Sequence, residues 1–331
     1  MEPSNSTVDV TVLIPVFNEE RHVPAVVGAM LSQDFEGSSE FVFIDGGSTD
    51  RTPEILKDLS RRDRRVRVLD NPRRQTAAGL NVGLRAARGR IIARMDAHTH
   101  YPAGYISRGV ERLERGDVAH VSGPAVPLAA GKWSRRVALA LSTRIGTGGA
   151  RFRHEQETEI EVDSGFAGLW QRSTLEGHGG WDEGWPKNQD AELAARIRAA
   201  GGRLVCLPQL SAGYIPRDSL ASLGRQYMQY GYYRAKTSVR HRSSMRRAHL
   251  LPPALTLLFA IALSRGLPGR LARTAVACYG LALAGSAAGA VRKADARDAA
   301  CLPVVFLVMH LSWGLGFIAG SAKYGVARSR A

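Results

Sequence analysis

Asp96 closes the run "RIIARM", and His98 follows two residues later. In an extended segment, residues i and i+2 point the same way, so a carboxylate and an imidazole would face one space. Mg2+ or Mn2+ on a diphosphate takes one or two protein ligands, and phosphate oxygens and water supply the rest. Carboxylate suits both ions, while imidazole moves the preference toward Mn2+. The plainer alternative is a turn acid beside a surface histidine. Asp190 lies in "WPKNQDAEL", where Asn188 is expected to cap a helix and Asp190 to occupy its first turn. A carboxylate there either serves as general base toward an acceptor hydroxyl or only complements the helix dipole. Glu192 falls on a different side of that helix, because neighbours on one face are three or four residues apart. Asp45 ends the run "FVFI", and Gly46 and Gly47 after it let another backbone or a ligand approach. A plain strand-to-helix turn, with Ser48 capping the next helix, is the competing reading of that stretch.

These side chains need strands that end where a ligand can be met. "VTVLIPVF" (10–17) and 41–45 read as buried strands and "VRVLD" (66–70) and "RIIARMD" (90–96) as further strands, with helices from Asn18 to about 31, 52 to 61 and 76 to 87 between them. Strand-helix alternation at this spacing predicts an α/β fold with a mostly parallel sheet. Ligands in such sheets bind beyond the carboxyl ends of the strands. Beyond residue 116 the pattern is less regular. One or two strands are expected in "GDVAHVSGPAVPL", a strand and turn in "AGLWQRSTLEGHGG", a helix ending at Gly201, a short strand "RLVCLP", and a long helix over about 219–240.

In "VDSGFAGLW", Asp163, Gly165 and Phe166 would either floor an acceptor cleft or form a tightly packed strand. Trp181, Trp185 and Pro186 would suit a sugar platform or the core. Arg225 and Gln226, on helical turns beside Tyr227 and Tyr230, are candidates for diphosphate contact.

The chain has 331 residues and a formal net charge of +15. Such a charge fits nucleic acid, an anionic membrane surface or a phosphate-bearing substrate. Cys206, Cys278 and Cys301 are far apart and lack metal-ligand spacing, so neither a disulfide framework nor a zinc site is expected. Residues 1–9 are polar and acidic, and no signal peptide is expected there. After residue 249 the composition changes. Apolar stretches occupy 250–264, 271–291 and 299–322. The second and third reach the roughly 20 residues of a spanning helix. The first is short and carries Pro252-Pro253. Two or three transmembrane helices over 250–331 are therefore expected, with a soluble helical subdomain as the alternative. Arg234, Lys236, Arg240, Arg242, Arg246 and Arg247 precede the first stretch and mark the cytoplasmic side, which places 1–249 in the cytoplasm.

Taken in order, these motifs resemble the inverting family 2 glycosyltransferases of GT-A fold. The family's Pro-x-x-Asn-Glu is matched by Pro15 to Glu19, and its Asp-Asp-Gly-Ser-x-Asp by Asp45 to Asp50. Its Asp-x-Asp metal motif is matched by Asp96-Ala97-His98, and its Glu-Asp base motif by Gln189-Asp190. A Gln/Arg-x-x-Arg-Trp element is matched loosely from Arg225 to Tyr230. The set is similar to bacterial exopolysaccharide enzymes of the succinoglycan ExoA type. Gly46 stands where the common pattern has a second Asp, and His98 where it has a second metal acid. The terminal Trp is missing, which argues against a processive synthase.

The resemblance implies a cytoplasmic GT-A domain over 1–249 on a bacterial inner membrane. Its donor would be a nucleotide sugar of the UDP-hexose class. Pro15, Asn18, Glu19, Asp45, Gly47, Ser48, Asp96, Arg225 and Gln226 would hold it, with a divalent metal, Mg2+ or Mn2+, at Asp96 and His98. Asp190 would be the base, with Asp163 the second candidate. Asp163, Gly165, Phe166, Trp185 and Gln189 would meet the acceptor, a polyprenyl-diphosphate-linked glycan held at the lipid surface. A membrane-tethered scaffold that keeps the fold without catalysis is the competing class. A dehydrogenase is disfavoured because no Gly-x-Gly-x-x-Gly follows the first strand. Nucleic-acid binding is disfavoured because the basic residues precede a bilayer segment and no recognised module is present.

Overall fold

Apolar runs without polar alternation form the central strands of one sheet, as burial on both faces requires. The computed structural model describes residues 8–148, 157–292 and 294–329. In chain order the elements begin with β1 (Val10–Val16), α1 (Val23–Leu31), β2 (Ser39–Asp45), α2 (Thr52–Arg62), β3 (Val66–Asp70) and α3 (Thr76–Ala86). β4 (Ile91–Arg94), β5 (Thr99–His100), α4 (Tyr105–Glu114), β6 (His120–Gly123), β7 (Ala125–Pro127), α5 (Lys132–Leu141) and α6 (Arg144–Thr147) follow. Next come β8 (Ile160–Glu161), β9 (Phe166–Gln171), α7 (Arg172–Gly177), α8 (Gln189–Ala199), β10 (Leu204–Cys206) and β11 (Ala212–Tyr214). The last helices are α9 (Leu220–Arg240), α10 (Leu251–Ala262), α11 (Leu267–Ala290), α12 (Ala296–Ala300) and α13 (Leu302–Ser329). Among the described residues, 8–126 and 157–214 form one compact unit, and 127–148 with the residues from 215 onward form a second.

The first unit holds an eight-stranded sheet in the order β3-β2-β1-β4-β9-β6-β10-β8. β3, β2, β1 and β4 are parallel, so their carboxyl ends share one edge. β9 enters antiparallel between β4 and β6. This antiparallel strand accounts for the weaker pattern of the second half. Val12, Leu13, Ile14, Phe41, Val42, Phe43, Ile44, Ile91 and Ile92 are buried along the strands. α3 packs so closely on β1 that a Cβ on Gly83 would lie 2.8 Å from Leu13 Cδ2.

None of the three expected side-chain caps, at Asn18, Ser48 and Asn188, is formed. α1 starts at Val23, not after Asn18, with Pro24 in its first turn, where a missing N–H costs nothing. Asn18 adopts φ 55 and spends its side chain on another loop. Ser48 does not cap α2, since its hydroxyl donates to Asp45 Oδ1. Asn188 does precede α8, but at φ 65 and without a side-chain cap bond.

In the second unit, α9 and α13 run parallel at backbone contact. A Cβ on Gly231 would lie 2.0 Å from the Trp313 carbonyl oxygen, and one on Gly316 2.0 Å from that of Met228. Small residues of this kind let helices approach closely. α11 and the segment Ala296–Gly325 are long and apolar enough to cross a bilayer. α10 has 12 residues, about 18 Å of helix, short of the roughly 30 Å hydrocarbon thickness. Asp298 is buried between Arg135 and Arg136, and Arg136 Nε donates to it at 2.9 Å. This ion pair ties α12 to α5.

Candidate active site

The sheet edge formed by the ends of β1, β2 and β4 gathers most of the sequence-selected residues. Pro15 pairs in register with Ile44, and Val16 with Asp45. Asp45 is buried, and its Oδ1 accepts from the Ser48 hydroxyl at 2.6 Å and the Ser48 amide at 3.1 Å. Gly47 takes φ 74, and a Cβ there would lie 3.2 Å from Arg74 Nε. Asn18 binds both ways across the gap: its amide donates to Ser48 Oγ at 2.8 Å, and its Oδ1 accepts from the Thr49 amide at 2.8 Å. The Glu19 and Glu20 amides donate to Thr52 Oγ1 and Asp50 Oδ2.

Glu19 links this rim to the loop after β4. Its Oε1 lies 3.1 Å from His98 Nδ1, and its Oε2 lies 2.7 Å from His22 Nδ1. A carboxylate on Nδ1 is the usual orienting partner of a metal-binding imidazole, with the other ring nitrogen facing the ion. Among the described residues, no group of three or more His, Cys, Asp or Glu forms a metal cage. The segment between Asp96 and His98 is a turn and not the expected extended stretch, with the Thr99 amide donating to the Asp96 carbonyl at 3.1 Å. The two side chains would supply at most two ligands, leaving the rest to a diphosphate and water.

Asp96 and Asp190 meet on one guanidinium. Arg94 is the last residue of β4, in register with Leu13 of β1 and Gly168 of β9. Its side chain is 6% exposed. Arg94 Nε donates to Asp96 Oδ1 at 2.8 Å and Nη2 to Oδ2 at 3.2 Å, while Nη1 donates to Asp190 Oδ1 at 2.7 Å. The Asp96 amide donates to the buried Tyr101 hydroxyl at 2.8 Å. Burial acts against the charge on Arg94, but Asp190 and then Asp96 outweigh it and raise its pKa. Burial likewise opposes the Asp96 carboxylate, and Arg94, His98 and Lys187 overcome it, so its pKa is lowered. For Asp190 burial prevails over Arg94, with Asp96 adding to it, and the pKa is raised.

The remaining sequence-selected residues lie on other elements. Gln189 is buried beside Asp190 in α8, and Glu192 is buried and paired with Arg196 at 2.8 Å. Trp181 and Trp185 are buried, and Trp181 stands edge-on to Trp170. Gly165 has no room for a side chain, since a Cβ would meet Ser122 Oγ at 2.4 Å. Phe166 is half-buried near Tyr214, and Asp163 lies before it at intermediate exposure. Arg225 and Gln226 lie on α9 in the second unit, where Gln226 Nε2 donates to the Tyr230 hydroxyl at 3.1 Å. Arg94 and Arg74 were not selected from the sequence. The signal for Arg94 was an arginine inside a buried strand, which demands an anionic partner.

The family model for glycosyl transferase family 2 matches residues 11–176. The succinoglycan biosynthesis protein ExoA of Rhizobium meliloti is 30% identical over 92% of this chain and 93% of its own length. The chain belongs to glycosyltransferase family 2. An undecaprenyl-phosphate 4-deoxy-4-formamido-L-arabinose transferase of Pseudomonas aeruginosa is 33% identical over 32% of this chain and 33% of its own. Among solved structures, a mannosyltransferase from Pyrobaculum calidifontis, in complex with GDP-Man and Mn2+, superposes with a TM-score of 0.61. That match covers 99% of this chain and 91% of the other at 21% identity. The fold of this glycosyltransferase is therefore GT-A, with apolar helices following the catalytic region.

Proposed function

We propose that this glycosyltransferase moves a sugar from a nucleotide-sugar donor to a polyprenyl-diphosphate-linked glycan, with inversion, in cell-surface or exopolysaccharide synthesis. The observation that carries the reading is the convergence of Asp96 and Asp190 on Arg94 at the carboxyl edge of the sheet. Asp45, Gly47 and Ser48, laced to Asn18, form the rim that receives the nucleoside. Asp96 and His98 would hold a divalent cation, which supplies charge neutralisation to the departing diphosphate. Asp190 takes the proton of the attacking acceptor hydroxyl, and one displacement at the anomeric carbon inverts it. Phe166 begins β9, the strand beside Arg94, and Asp163 and Gly165 lie in the segment just before it; the three would form the acceptor side.

Residues 1–249 would form the cytoplasmic catalytic part and 250–331 the membrane anchor of a multi-pass inner-membrane enzyme. The two long apolar helices, and names of relatives that include a polysaccharide biosynthesis protein and an undecaprenyl-phosphate transferase, support a lipid-linked acceptor. The test is a screen of sugar nucleotides with the full chain in membranes that supply lipid-linked acceptors. Product masses identify the sugar, and the anomeric configuration of the product reports inversion. Binding of a sugar nucleotide without transfer or hydrolysis of any donor would favour the scaffold reading instead.

A further inference from the structure

A buried arginine shared by two carboxylates from distant parts of the chain constrains both of them. β4 fixes the Arg94 backbone on its two edges, through β1 and β9. Asp190 reaches the same point from another part of the chain, beside the Trp181 side chain. It hangs from the first turn of α8, whose N-terminus has no side-chain cap and whose preceding residue, Asn188, is left-handed at φ 65. The two residues are 96 positions apart in sequence. We infer that Arg94 is the positioning residue that sets the acceptor-side carboxylate Asp190 in register with the donor-side carboxylate Asp96. This rests on the proposed role of Asp190 as base. Arg94 Nη1 donates to Asp190 Oδ1 at 2.7 Å and so fixes the orientation of that carboxylate. The same planar fork spends Nε and Nη2 on Asp96.

Only a guanidinium can serve both acids at once, because its donors are fixed in one plane and diverge. A lysine ammonium would stay with Asp96, two residues away on the same segment, and leave Asp190 unheld. Arg94→Lys therefore separates positioning from charge. In the full-length enzyme, kcat of Arg94→Lys should fall about 100-fold, the effect of displacing a reacting group by about 1 Å. The donor dissociation constant should change by less than about threefold, since Asp96 keeps a cation beside it. The decisive readout is non-additivity: adding Arg94→Lys to Asp190→Asn should leave the residual transfer rate where Asp190→Asn alone puts it. If the double variant drops by the product of the single effects, or if donor affinity falls as far as kcat, Arg94 does not act through Asp190. Arg94→Gln, read the same way, covers the case in which the lysine variant does not fold. Parental transfer by Asp190→Asn would remove the base assignment itself. An inactive Asp190→Asn beside an unimpaired Arg94→Lys would remove only this inference.

Discussion

Replacing Asp190 by asparagine removes one charge and almost no volume. The amide oxygen can still accept from Arg94 Nη1, so the hydrogen bond, 2.7 Å long in the parent, survives without its ionic part. Arg94 keeps both bonds to Asp96, at 2.8 and 3.2 Å, and is not left as an uncompensated buried cation. A charge-assisted hydrogen bond contributes roughly 1.5–3 kcal/mol. Asp190 is 26% exposed and its pKa is raised, so the stability cost belongs at or below the low end of that range. The cost in rate is larger. A general base contributes about 10²–10⁴-fold, which is roughly 3–5 kcal/mol in the barrier. Transfer of labelled sugar by the full chain in detergent, donor binding by calorimetry and the unfolding temperature together separate the two effects. The expected result is transfer lost by at least about 100-fold, with donor affinity nearly intact and a small shift in unfolding. Transfer at close to the parental rate would refute the assignment, and Asp163 would become the base to test.

Protonated Asp190 cannot accept a proton, and its pKa lies above the ordinary aspartate range, so transfer should decline as pH falls through a correspondingly raised value; the Asp190→Asn residual rate should lose that limb. Asp96 behaves oppositely in stability: its lowered pKa gives a contribution present at neutral pH and lost as pH falls below the usual aspartate range, measurable as a fall in unfolding temperature. Asp96→Asn should weaken donor binding and cut transfer by about 100-fold, or roughly 3 kcal/mol; full activity of that variant in EDTA would exclude a metal role. Gly168→Ala should destabilise the sheet, because φ is 114 and the new Cβ would lie 2.3 Å from His120 Nε2; strain alone costs about 1–3 kcal/mol, and an unchanged unfolding temperature would contradict it. The full chain should pellet with membranes and need detergent for release; recovery in a salt-washed soluble fraction would rule out the anchor.

The alternating elements were legible because buried strands and amphipathic helices leave different periodicities in the chain. β2 and α2 fall within a residue or two of their expected bounds. The loops were less legible. Asn18 looks like a cap beside Glu19 and Glu20, but its partner is the Thr49 amide, 31 residues away, and no local pattern encodes that. Asp45, Asp96 and Asp190 could be selected because acids at strand and helix ends recur with a spacing that motifs preserve. Their shared counter-ion could not, since pairing Arg94 with Asp190 requires the topology that brings β4 to α8. Glu192 was set aside by its place on the helix, and the structure has it buried and paired with Arg196; Trp181, readable as platform or core, is buried beside Asp190.

The lacing between the loops after β1 and β2 also fixes when disorder is given up. The bonds Asn18–Ser48, Asn18–Thr49, Glu19–Thr52 and Glu20–Asp50 join the two segments without help from a nucleotide. Ordering a backbone residue costs about 1–2 kcal/mol, and here that cost falls on folding, so capture of a donor by these loops would not have to meet it. If this rim receives the nucleoside as proposed, it would select by shape, with little freedom to mould itself to a different base. A substitution in either loop also disturbs the other, so a change of donor would require paired replacements, one on each side of the gap.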